Sequence, residues 1–81
     1  MDKANWSGVW IDARTPPKTT LGADGVVAVS DRVLGWLGCM RVVEYTVVEG
    51  QGEWFITGNY EYAVTDDMQY WMPLPEPPKE M

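Results

Sequence analysis

The chain has 81 residues and a net charge of −6, which suits one small domain and not two. Its six basic residues, Lys3, Arg14, Lys18, Arg32, Arg41 and Lys79, are scattered rather than clustered, which argues against ordinary nucleic-acid binding. No run approaches the roughly 18 apolar residues of a membrane span, and the single cysteine, Cys39, rules out an internal disulfide.

The opening residues 1–8 are polar and read as a loose N-terminal arm without an apolar leader, so a cytoplasmic location is expected. Val9-Trp10-Ile11 is a short β-prone run that Trp6 can extend. Pro16-Pro17 then excludes a central strand, because two backbone donors are missing. Ala23-Asp24-Gly25 signals a turn, and Val26 to Ser30 reads as a short strand closed by Asp31-Arg32. Val33 to Gly38 is apolar but broken by Gly35 and Gly38, and is read as a bend.

Cys39 to Glu49 is the longest strand expected. Arg41, Val43, Tyr45 and Val47 fall on one face, and Met40, Val42, Glu44, Thr46 and Val48 on the other. Gly50-Gln51-Gly52 connects it to a return strand over 53–57, giving an antiparallel hairpin. Gly58-Asn59 marks a turn, and Tyr60 to Val64 is either a short strand or an ordered loop. Thr65-Asp66-Asp67 offers turn-forming side chains or one helical turn. Met68 to Met72 is the last strand, and residues 73–81 form a proline-rich extended tail. The apolar period is two throughout. The expected fold is therefore a mainly β, antiparallel meander of four to five strands, curled or barrel-like, with at most one short helical turn.

Little in the sequence supports catalysis. The chain has no histidine, the commonest general base and metal ligand. Cys39 has no activating neighbour and reads as a small core residue. Asp12, Asp31, Asp66 and Asp67 flank turns, where carboxylates build turns more often than sites. No cofactor or metal is expected. Trp10, Trp54 and Trp71 are assigned to the core, whereas Trp36, flanked by glycines, is expected at the surface. Trp71 and Leu74 are expected to pack against the sheet, with the prolines ending the last strand.

Three blocks of the chain resemble a known family. Trp10-Ile11-Asp12-Ala13-Arg14 with Pro16-Pro17 resembles an opening block, Val26-Val27-Ala28-Val29-Ser30-Asp31 the strand after it, and Trp71-Met72-Pro73-Leu74-Pro75-Glu76-Pro77-Pro78 the closing block. In this order they resemble the domain-of-unknown-function family numbered 551, short proteins frequent in phages and prophages. The closing motif is the most specific part. The family often has a histidine before the closing tryptophan, where this chain has Tyr70, and the segment around Gly35 to Gly38 is longer than usual. The resemblance implies a phage or prophage context and no particular chemistry.

Three functions follow as expectations. The first is a non-enzymatic acidic binding protein that inhibits a host or defence protein, contacting it through Trp36, Leu37, Asp31, Asp66, Asp67 and Tyr62. The alternative is a small-molecule binder, such as a sponge for a nucleotide signal, using Arg14, Arg32 and Arg41 with an aromatic stacking face. So small a chain would need a homo-oligomer to enclose such a ligand. A carboxylate-based enzyme ranks last.

Overall fold

The computed structural model describes residues 9–75. Within them the chain forms seven strands: β1 (Ile11–Asp12), β2 (Thr19–Leu21), β3 (Val27–Ser30), β4 (Val33–Trp36), β5 (Met40–Val48), β6 (Gln51–Ile56) and β7 (Tyr70–Pro73). They make one sheet in the order β1-β7-β4-β5-β3-β2, with β6 paired to the remaining edge of β5, and every pairing is antiparallel. A 3-10 turn spans Thr65–Asp67. The mainly β, antiparallel reading therefore holds, together with its single helical turn. The expected strand number does not. β1 and β2 have two and three residues, too few to show a period, and the presumed bend at 33–38 contains β4. The arm 1–8 and the tail beyond Pro75 lie outside the described residues.

β4 was obscured by Gly35, which is a packing device rather than a breaker. A Cβ at this position would come within 2.7 Å of Val43 Cγ2 and 3.1 Å of the Met68 thioether. Its absence lets the Met68 side chain lie directly on the strand. The real turn is Leu37-Gly38-Cys39, where the Leu37 N–H donates to the Cys39 carbonyl at 3.0 Å and Gly38 takes φ 91°. Cys39 is consequently exposed, not a core residue.

β3 and β4 follow one another along the same edge of β5, separated by a bulge. Val29 pairs with Thr46 and Val33 with Val43, so Ser30, Asp31 and Arg32 stand opposite only Glu44 and Tyr45. Buried Ser30 repairs the interrupted ladder: its Oγ accepts the Tyr45 N–H at 2.9 Å and donates to the Asp31 carbonyl at 2.7 Å.

The β5–β6 hairpin has the expected partners but a tighter connection. Val48 pairs with Gln51, so the loop is Glu49-Gly50 alone. Both residues have positive φ, 53° and 79°, as a type I′ turn requires. Gln51 and Gly52 already belong to β6, and the Tyr45 ring folds over Gly52 into the space a side chain would fill.

The sheet curls into a half-barrel. Trp54 on β6 and Trp71 on β7 are three strand spacings apart, about 14 Å in a flat sheet, yet their ring centroids are 6.5 Å apart. Val33, Val43, Trp54, Met68 and Trp71 form the core inside this curl, with Tyr45, Ile56 and Val64 packed against it. Tyr45 meets Trp54 edge-on at 5.1 Å. The Trp71 indole N–H donates to the Thr15 carbonyl at 2.8 Å, tying the proline loop to the core. Residues 60–64 are loop, and this loop covers the outer edge of β6: Val64 N–H donates to the Trp54 carbonyl at 2.7 Å, and Trp54 N–H donates to Thr65 Oγ1 at 2.9 Å.

Two core assignments need correction. Trp10 is 36% exposed, and Leu74 is 39% exposed although Trp71 is buried. Trp10 falls on the opposite side of β1 from Ile11, which packs on the core.

Candidate functional site

The outer, convex face of the half-barrel carries the candidate site. Directly opposed residues in an antiparallel sheet share a face. Asp12 is opposite Tyr70, Tyr70 opposite Trp36, and Trp36 opposite Met40, so one row crosses β1, β7, β4 and β5. Trp10, just before β1, lies on the same face, its ring 6.5 Å from that of Trp36 and nearly edge-on at 62°. Trp10, Trp36, Met40 and Tyr70 line a hollow of about 430 Å³. All four are exposed, and Val42 carries the apolar surface onward in the next row, opposite Leu34.

One rim of the hollow is charged. The Arg14 guanidinium grips the Asp12 carboxylate with Nε donating to Oδ1 at 3.0 Å and an Nη to Oδ2 at 2.9 Å, while the Arg14 backbone N–H donates to Oδ1 at 2.8 Å. These side-chain and then backbone hydrogen bonds hold the Asp12 pKa at about 2, and the side-chain bonds, with the Asp12 charge, raise that of Arg14. Asp12 is paired directly opposite Tyr70, which places this ion pair at the rim.

Residues 9–79 match the family described as Protein of unknown function (DUF551). The chain belongs to the DUF551 family. No curated protein and no solved structure matches it. The DUF551 description carries no activity, so function has to be read from surfaces.

The expected contact residues do not gather in one place on this DUF551 fold. Trp36 is on the hollow. Leu37, its neighbour, is half-buried and packs against the core. Asp31 sits at the β3–β4 bulge and lines a second, smaller cavity of about 270 Å³ with Lys18, Arg32, Trp71 and Leu74. Asp66 and Asp67 are exposed on the 3-10 turn beside β6, and Tyr62 is exposed on the loop before it. None of these five lines the hollow.

The three arginines also lie on separate elements. Arg14 follows β1. Arg32 is in the bulge, its Nε 3.4 Å from Oε2 of the buried Glu44, which also accepts the Tyr60 O–H at 2.8 Å. Arg41 is on β5 opposite Gly35, on the other face from Trp36. Of the three, Arg14 is the one beside the hollow.

Sequence reading missed Trp10, Met40 and Tyr70 as partners of Trp36. A usable signal was present: with Leu37-Gly38-Cys39 taken as the turn, Trp36 and Met40 become a cross-strand pair.

Proposed function

We propose that this is a non-enzymatic binding protein whose recognition surface is the aromatic hollow on the convex face. The observation that carries the reading is the gathering of Trp10, Trp36, Met40 and Tyr70 at the surface of a chain whose thin core would otherwise use large side chains. Trp and Tyr present large contact area with few rotatable bonds, which is why they dominate the energetics of protein contacts. The net charge of −6 favours a partner with a basic surface around the apolar contact. A phage or prophage setting, a host or defence protein as the partner and action in the bacterial cytoplasm belong to the same proposal.

A second reading has one observation in its favour. Arg14 is held by Asp12, which is paired opposite Tyr70 at the rim, a placement suited to meeting the phosphate of a stacked nucleotide. Its engagement with Asp12 on three hydrogen bonds weighs against this, because an anion would have to displace the carboxylate. Neither reading requires the Cys39 thiol.

The test is capture from a lysate of infected bacteria. Wild type and Cys39→Ser are expected to retain the same partner, and Trp36→Ala to lose it. Retention by folded Trp36→Ala would contradict the proposal, and retention of a nucleotide instead of a protein would select the second reading.

A further inference from the structure

The hollow is an aromatic-lined groove, and the chain itself contains the ligand that such grooves take. We propose that the hollow binds the proline-rich run 74–79 of a second copy of this chain, Leu-Pro-Glu-Pro-Pro-Lys, in an extended polyproline form. This rests on the hollow being the recognition surface.

Proline fixes φ near −65° and removes the backbone donor. A run with three prolines is therefore biased toward polyproline II geometry and has less freedom to lose on binding. Aromatic grooves bind such runs by packing proline rings against Trp and Tyr faces and donating to their carbonyls. Trp10, Trp36 and Tyr70 supply the aromatic side chains that line the hollow.

The direction of β7 favours a second copy over the chain's own run. Tyr70 is in the hollow, and β7 then leads away from it, with Pro73 opposite Val33. Leu74 follows four residues after Tyr70, about 13 Å along an extended strand. To fill its own hollow the run would have to double back over the distance that β7 has just covered. A second copy meets no such restriction, and Leu74 and Pro75 are exposed.

Sedimentation velocity of the full chain over a concentration series tests this, alongside titration with a synthetic peptide of residues 73–81. Reversible self-association is expected, weakened at least about tenfold by Trp36→Ala. The combined variant Pro75→Ser, Pro77→Ser, Pro78→Ser should weaken it as much, and the free peptide should dissociate the wild-type assembly. A wild type that stays monomeric to about 1 mM and ignores the peptide overturns the inference. Association that survives either set of substitutions overturns it too. The two proposals fail separately: if Trp36→Ala still loses its captured partner, only the self-docking is wrong, and if capture also persists, the hollow is not a recognition surface.

Discussion

Glu49 has φ 53° at the first central position of the type I′ turn, a left-handed conformation that side chains other than Asn, Asp and Gly adopt at a cost of roughly 1–2 kcal/mol. Glu49→Asn is expected to stabilise the protein by about 0.5–1 kcal/mol, a rise of a few degrees in Tm by thermal melting. Gly35 has the opposite sensitivity. The Cβ of Gly35→Ala would press on Val43 Cγ2, a stiff β-branched side chain, at 2.7 Å. A loss of about 1–3 kcal/mol is expected in urea unfolding. Asp12 supplies a pH-dependent case. Its pKa falls from an ordinary 3.8 to about 2 through the Arg14 hydrogen bonds. A depressed carboxylate pKa means the pair stabilises the fold at pH above about 4 and is lost as pH falls through about 2. Carboxyl-carbon NMR titration should give an Asp12 midpoint near 2 in wild type, returning toward the ordinary value in Arg14→Ala.

Among the elements, the β3–β4 bulge depends on one polar side chain. Ser30 Oγ is the acceptor for the Tyr45 N–H in a buried position. Ser30→Ala would leave that donor unpaired, and a loss of about 1–3 kcal/mol is expected in chemical denaturation. The bulge also shows what sequence patterning can and cannot reveal. β5 and β6 were legible because long runs alternate and a Gly-rich connection joins them. The strand ended by Ser30 was legible, but its pairing was not, because a one-residue insertion leaves no mark on composition. β1 and β2 are held by their neighbours rather than by any period of their own. Gly35 looked like a breaker because its role depends on Val43 and Met68, residues distant in sequence. The same holds for the site. Trp36 was recognisable as a surface aromatic from its glycines, whereas Trp10 and Tyr70 become its neighbours only when β7 inserts between β1 and β4.

At the scale of the whole molecule, the curl separates two faces with different work. The concave face holds the buried Trp54 and Trp71, 6.5 Å apart across the barrel opening. The convex face presents Trp10, Trp36, Met40 and Tyr70 to solvent. Truncating a buried Trp costs about 3–5 kcal/mol, a large share of the roughly 5–15 kcal/mol that holds a domain together. Truncating Trp36 removes a half-exposed ring and one edge-on aromatic contact, about 0.5–1.5 kcal/mol. The measurement that tests this division most directly is the thermal unfolding midpoint of Trp36→Ala beside that of Trp71→Ala. Trp36→Ala is expected to melt cooperatively within about 10 °C of wild type, and Trp71→Ala to fall far lower or to show no cooperative transition. A Trp36→Ala protein destabilised as severely as Trp71→Ala would contradict the account, since the hollow would then be part of the core rather than a surface kept for a partner.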